Sequence, residues 1–389
     1  DVVRSAYGHA GQKCSAASLV ILVGSVGTSR RFHNQLVDAI SSLEVDWPSN
    51  SASEMSPLSE LPGPKLARGL TQLEPGQAWA IKPYNKDGRG RLWTPGLRAG
   101  VKPGSEFHMV EYFGPLLGVV KAATLEEAVE IQNATDFGLT AGLHSLSHDE
   151  IEYWIDHVQA GNVYVNRGIT GAIVRRQPFG GWKLSSVGAT AKAGGPNYLY
   201  SFGTFVPEEP LDDSATGAIT PHDGKIADKA LHISKPQLAD LVTVAQGLLE
   251  GRDLAKVQEA SYNADRAAAE EFDRLQDPSG LAAERNVLRY IPTDSIIRAE
   301  GDWELSDLLS IAAAAVATGT YQDIKGLQGL TRVAPGQNDL KANKDVQIVL
   351  SLDKAVPPAV VEWATTYGLN VVVESRGEYL ERLSTDDLG

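Results

Sequence analysis

Two capping signatures constrain the fold of this chain more than any other local feature. Thr124 with Glu127, and Ser147 with Glu150, each place a hydroxyl and a carboxylate three residues apart. That spacing satisfies the first backbone N–H groups of a helix. It predicts helices over 125–134 and from 147 to about residue 159. Apolar runs at 109–122, 139–144 and 161–166 flank them and read as strands. The run 19–23, closed by Gly24, reads as a further buried strand. Behind it Thr28 is expected to cap a helix to residue 43, with Phe32, Leu36, Val37 and Ile40 on one stripe. Strands alternating with helices of this length predict an α/β architecture built on a parallel sheet.

The rest of the chain has fewer signals. Prolines and serines make 46–64 a loop, and 82–104 reads as irregular apart from a strand at 91–93. A last strand of this half is expected at 198–206, and 207–224 has the composition of a linker. Beyond it, helical patterns occupy 235–250 and 253–276, a strand 286–291, and a helix 304–318 ending at Gly319. The segments 346–352 and 369–374, joined by a helix opening at Pro357-Pro358, form a βαβ unit. The expected domains are therefore 1–197, a strand-and-linker segment 198–224, and a second α/β domain 225–389.

With 389 residues, 42% of them apolar, the chain can bury more than one core. No run of about 18 uncharged apolar residues is present, so no membrane-spanning helix is expected. One cysteine excludes an internal disulfide framework and a multi-cysteine zinc site, and fits a reducing, cytoplasmic setting. Residues 1–206 hold 18 basic and 18 acidic side chains, whereas 207–389 hold 17 and 31. The whole net charge of −14 thus lies in the second half, which disfavours nucleic acid or an anionic membrane as its partner.

That cysteine, Cys14, lies in Gly11-Gln12-Lys13-Cys14-Ser15-Ala16. If a helix begins at Ser15, its dipole and the Lys13 charge favour the thiolate, the form a nucleophile needs. Glu111-Tyr112-Phe113-Gly114-Pro115 and Gln177-Pro178-Phe179-Gly180-Gly181 each set an aromatic beside glycine, where backbone can approach a ligand and a ring can wall it. His144 and His148 straddle a strand end and a helix start and do not read as a metal pair; no metal site is expected. The basic, glycine-rich stretch Lys82, Lys86, Arg89, Arg91, Arg98 and Lys102 reads as a solvated loop.

In this order, the three motifs resemble the aldehyde dehydrogenase superfamily over roughly residues 1–206. The resemblance implies NAD as cofactor and Cys14 as the nucleophile that forms a thiohemiacetal and then a thioester. It implies that Glu111 binds the nicotinamide ribose, that Phe113 packs near the nicotinamide ring, and that Phe179 lines the aldehyde pocket. The runs Gly161-Asn162-Val163-Tyr164-Val165-Asn166-Arg167, Thr170-Gly171-Ala172 and Ala193-Gly194-Gly195-Pro196 are similar to those of Δ1-pyrroline-5-carboxylate (glutamate-γ-semialdehyde) dehydrogenases. There a hydroxyl and a small-residue loop hold the substrate carboxylate, a role that falls on Ser15, Gly171 and Ala172. Backbone N–H groups and a hydroxyl suit such an anion.

The acidic half, with Glu284-Arg285-Asn286-Val287-Leu288-Arg289-Tyr290, resembles the C-terminal extension of long proline utilization A proteins. This implies a Rossmann-like, aldehyde-dehydrogenase-like second domain and a homo-oligomer. It also implies a separate N-terminal part of the same polypeptide, with FAD confined to a proline dehydrogenase in that part. The chain begins at Asp1 shortly before the cysteine, and the family's general base and adenosine-binding half precede that point. The chain is accordingly expected to be a C-terminal piece that does not turn over alone. Two alternatives stay open: a dehydrogenase for another aldehyde, and a non-catalytic assembly fragment.

Overall fold

The run Leu19–Val23 is strand β1, preceded by helix α1 (Val2–Tyr7), in the computed structural model of the protein. Residues 1–186, 192–203, 232–291, 296–299, 304–318, 347–351, 357–366 and 370–374 are described. They divide into two units, the first made of residues 1–206 and 278–286, the second of 207–277 and 287–389.

In the first unit, helices α2 (Arg30–Ser41) and α3 (Pro64–Thr71) lead to strands β2 (Ala78–Ile81) and β3 (Gly96–Ala99). A short helix α4 (Glu106–Met109), strand β4 (Leu116–Ala122) and helix α5 (Leu125–Asn133) follow. The sheet runs β1-β4-β3-β2, with β1, β4 and β3 parallel and β2 an antiparallel edge. Strand β6 (Thr140–Leu143), helix α6 (His148–His157) and strand β7 (Asn162–Val165) form a second parallel pair, Thr140 against Asn162 through Leu143 against Val165. The two-residue strands β5 (Phe137–Gly138) and β8 (Trp182–Lys183) pair antiparallel. This is the expected α/β class with a parallel sheet.

The hydroxyl of each capping signature operates, and the carboxylate of the first; the Glu150 carboxylate instead accepts from the Ser145 hydroxyl. The Thr124 hydroxyl accepts from Glu127 N at 3.2 Å, and the Glu127 carboxylate accepts from Ala123 N at 2.5 Å. Ser147 accepts from Glu150 N at 3.4 Å. Helix α2 differs from expectation: its cap is Ser29, which accepts from Phe32 N at 3.2 Å, because Thr28 donates instead to Ser25 O at 3.1 Å. Leu36 and Ile40 of its stripe are buried in a core with Tyr7, Leu97, Leu117 and Val120, and Tyr7 donates its hydroxyl to Gly96 O at 2.9 Å. A smaller cluster gathers Val129, Ala141, Trp154 and Val158.

The stretch 82–104 is not the solvated loop expected. Residues 91–93 form no strand, and Trp93 makes only an isolated bridge to Asn85. Strand β3 lies further on, and its Arg98 is 1% exposed. Arg98 stacks within 4.4 Å of the Phe107 ring centroid and 4.8 Å of that of Trp79, and donates to Gln77 Oε1 at 3.1 Å and to Gly69 O. Aromatic faces take up a planar guanidinium that a strand pattern reads as polar. Lys86 and Arg91 donate to the carbonyls of Val45 and Leu58, tying the 46–64 loop down. Within 109–122 the expected strand follows the Gly114-Pro115 break, as Leu116–Ala122. Tyr198–Phe202 is a 3₁₀ helix, not a strand; residues 204–206 and the linker 207–224 lie outside the described residues.

In the second unit, helices α7 (Pro236–Leu248) and α8 (Gly251–Ala267) pack with α9 (Leu305–Ala317) around Leu238, Leu241, Val257 and Leu309. The Asp265 carboxylate accepts from Ser234 N and Lys235 N, both at 2.9 Å, and so serves the orphan donors at the start of α7. Those hydrogen bonds hold its pKa low although burial opposes them. Strands β9 (Ile296–Ala299), β10 (Gln347–Ser351) and β11 (Asn370–Glu374) form a parallel sheet in the order β11-β10-β9, with helix α10 (Pro358–Thr366) between the last two strands. Strand β9 was not expected from the sequence. The strand expected at 286–291 is absent; Leu288 bridges Gln276, and Asn286 belongs to the first unit. Gly319 lies outside the described residues.

Candidate functional site

Cys14 is exposed on a turn in which Ala16 N donates to Lys13 O at 3.0 Å. It follows a 3₁₀ turn, Gly8–Gly11, whose His9 and Ala10 both have φ of 55°. No helix begins at Ser15, contrary to expectation. Ala17 N donates to Ser5 O at 3.0 Å and Ser18 O accepts from Gly118 N at 2.9 Å, so the chain is already running into β1. The helix-dipole argument for the thiol therefore has no basis here.

A second motif closes on this turn. Gly11 has φ of 66°, and a Cβ there would lie 2.1 Å from Gly114 O. Only glycine permits that approach. Gln12 donates Nε2 to Phe113 O at 3.3 Å, and its Oε1 accepts from Ser59 N at 2.9 Å. Tyr112 is buried and stacks on Phe107 at 5.1 Å, which anchors the segment behind the exposed side chains of Glu111 and Phe113. Phe113 holds φ of 54°, a conformation that costs a non-glycine residue about 1 kcal/mol or more, and the residue is 41% exposed.

Gly11, Ala16, Ala17 and Ser18 on one side, with Glu111, Tyr112, Phe113 and Gly114 on the other, line a small cleft. The loss of water around the Glu111 carboxyl raises its pKa, an effect the Lys65 charge partly opposes. The geometry thus sets an exposed thiol on a turn whose two ends border an acceptor carboxylate and a flat apolar wall.

The remaining predicted residues are held by separate supports. Ser15 is 3% exposed and its carbonyl accepts from Thr140 Oγ1 at 3.4 Å. Gly171, with φ of 88°, and Ala172 are exposed, and nothing lies within 4 Å of where a Gly171 Cβ would stand. Their loop is tied to helix α1, where Ser5 Oγ accepts from Ile169 N at 3.1 Å, rather than to Cys14. Phe179 bridges Ala193 through two backbone hydrogen bonds of 2.8 and 2.9 Å. Buried Asn162 clamps the same segment, donating to Pro178 O at 2.9 Å and accepting from Gly180 N at 3.0 Å. The structure brings Glu111 and Phe113 to the Cys14 turn; no hydrogen bond joins Gly171, Ala172 or Phe179 to that turn among the described residues. The sequence alone gives Gln12 and Asn162 no role, because the partners of Gln12 lie 101 and 47 residues away and those of Asn162 lie 16 and 18.

Residues 1–204 match the aldehyde dehydrogenase family. The chain is 35% identical over 210 residues to 1-pyrroline-5-carboxylate dehydrogenase of Geobacillus sp. (strain WCH70), covering 51% of this chain and 38% of that protein. It is likewise 35% identical over 200 residues to the enzyme of that name from Geobacillus thermodenitrificans (strain NG80-2), with the same coverage. Among solved structures it is similar to proline utilization A (PutA) from Corynebacterium freiburgense, with 41% identity and a TM-score of 0.70 over 96% of this chain and 34% of that one. The chain thus spans little more than a third of the length of these relatives. Because the family match takes in over half of the chain, including every residue lining the cleft beside Cys14, the protein belongs to the aldehyde dehydrogenase family.

Proposed function

We propose that this chain supplies the nucleophile and the nicotinamide-side wall of an NAD-dependent L-glutamate γ-semialdehyde (Δ1-pyrroline-5-carboxylate) dehydrogenase of proline catabolism. The observation that carries the reading is the close fit of Gly11 against Gly114. It draws the Cys14 turn against the Glu111–Phe113 wall and leaves the thiol exposed.

The residues fit the cofactor's reactive end. A carboxylate in a cleft, faced by an exposed ring, suits a ribose diol joined to a flat heterocycle. Glu111 would accept from the ribose hydroxyls and Phe113 would pack near the nicotinamide ring. NAD, when bound, accepts hydride from the substrate carbon. The Cys14 sulfur adds to the aldehyde carbon to give a thiohemiacetal. Loss of hydride from that carbon and of the hydroxyl proton to solvent leaves a thioester, and water then releases the carboxylate and the thiol. Ser15, Gly171 and Ala172 hold the substrate's α-carboxylate, and Phe179 lines the path of its chain. The relatives named 1-pyrroline-5-carboxylate dehydrogenase and PutA support this substrate. The activity belongs to a longer polypeptide that supplies the rest of the dehydrogenase. The second unit, with its parallel β10–α10–β11 succession, is its Rossmann-like extension.

The test is NADH formation by the full-length protein carrying this sequence. Glutamate semialdehyde is expected to exceed butanal in kcat/KM by about a hundredfold or more, since a site built for a carboxylate discriminates against its absence. Cys14→Ala is expected to lower turnover by about a thousandfold or more. Equal kcat/KM for the two aldehydes overturns the substrate, and retained turnover in Cys14→Ala overturns the nucleophile.

A further inference from the structure

The segment Pro278–Asn286 stands apart in sequence from the first unit yet folds with it. Its Glu284 and Asn286 side chains reach the stretch 167–177, which contains Gly171 and Ala172. Glu284 bridges two arginines: Oε2 lies 3.2 Å from Arg167 Nη1, and Oε1 lies 2.9 Å from Arg176 Nη2. Asn286, 8% exposed, accepts from Gln177 Nε2 at 2.6 Å and is itself held by Ser279 Oγ at 3.1 Å. Gln177 passes the restraint on, because its Oε1 accepts from Ile173 N at 3.0 Å.

The two ends of the stretch therefore have different anchors. At its start, Arg167 lies over the Tyr164 ring at 5.4 Å and Ile169 N donates to Ser5. At its end, the turn 173–177 is gripped by Asn286 through Gln177. Between them Gly171 and Ala172 are exposed and, around Gly171, unpacked, so their placement is inherited from the flanks. Glu284 joins both flanks, through Arg167 at the start and Arg176 at the end.

We propose that Glu284 is a positioning residue, supported by Asn286, that sets the 167–177 loop so that it accepts a carboxylate-bearing aldehyde. The inference rests on the proposed semialdehyde dehydrogenase activity and deepens it. Glu284 touches neither the reacting atoms nor the cleft beside Cys14.

Kinetics of the full-length protein with two aldehydes test it. In Glu284→Ala, KM for glutamate semialdehyde is expected to rise about tenfold, the effect of one lost charge-assisted interaction, with kcat changed less than about twofold. The kcat/KM for butanal and KM for NAD are expected to stay within about twofold of the wild type. Glu284→Gln keeps the volume and one acceptor, and a rise of about threefold is expected there; it carries the same comparison if the alanine variant does not fold. Equal losses for both aldehydes, or no change in KM for glutamate semialdehyde, would overturn the proposal. A wild-type protein that does not prefer glutamate semialdehyde overturns the parent reading and this inference together, and is told apart by needing no variant.

Discussion

Glu111 shows how a single residue's surroundings become a measurable property. Its carboxyl pKa is raised because neighbouring groups displace part of its water, with Lys65 opposing. It therefore takes up a proton at a higher pH than a free glutamate, and once protonated it is a poorer acceptor for ribose hydroxyls. KM for NAD is expected to climb as pH falls from neutrality into this raised range, and Glu111→Gln is expected to flatten that dependence. An unchanged profile in the glutamine variant would disconnect Glu111 from the cofactor. The stability effect has the opposite sense: the folded state favours the protonated acid, so this contribution is lost as pH rises through the raised value. At this scale the glycines of 111–115 and 177–181 read as places where backbone approaches a ligand, whereas the fit of Gly11 against the Gly114 backbone was not legible. The surroundings of Cys14 were not legible. A hydrophilic turn and a helix start share the same composition, and only the hydrogen bonds of Ala17 and Ser18 commit the chain to the sheet.

Helices α5 and α6 were readable in advance because a cap is local chemistry, made within four residues. Removing the Thr124 hydroxyl leaves the Glu127 amide without its side-chain acceptor, so Thr124→Ala is expected to destabilise by about 1 kcal/mol. Urea denaturation checks this, and a second substitution, Glu127→Ala, is expected to add less on that background than alone, since both serve one helix start. Full additivity would mean the two groups act separately. The strands were less legible. Strand β3 carries Arg98, whose burial depends on rings at positions 79, 107 and 112, none of them its neighbour in sequence. Tyr198–Phe202 has the aromatic, β-favouring composition of a strand but coils into a 3₁₀ helix, and strand propensity is a weak guide because it depends on context.

Each unit of the molecule has its own apolar core, one around Ile40, Leu97 and Leu117, the other around Leu241, Val257 and Leu309. Two calorimetric transitions are therefore expected from this chain. Leu241→Ala, which empties a fully buried position, is expected to destabilise one of them by about 2–5 kcal/mol and leave the other in place. A single transition that shifts as a whole would show that the units unfold together. The charge asymmetry between the halves was plain in the composition, as was the alternation of strand and helix that makes an α/β fold. Those features were accessible because periodicity, caps and glycine requirements act over a few residues, and the sequence by itself determined them. The tertiary structure alone decided that Pro278–Asn286 folds with the first unit, that Gln12 joins the cysteine turn to Phe113, and that Glu284 spans Arg167 and Arg176. Those choices couple groups about a hundred residues apart, and a contact at that separation leaves no periodic trace in the chain that makes it.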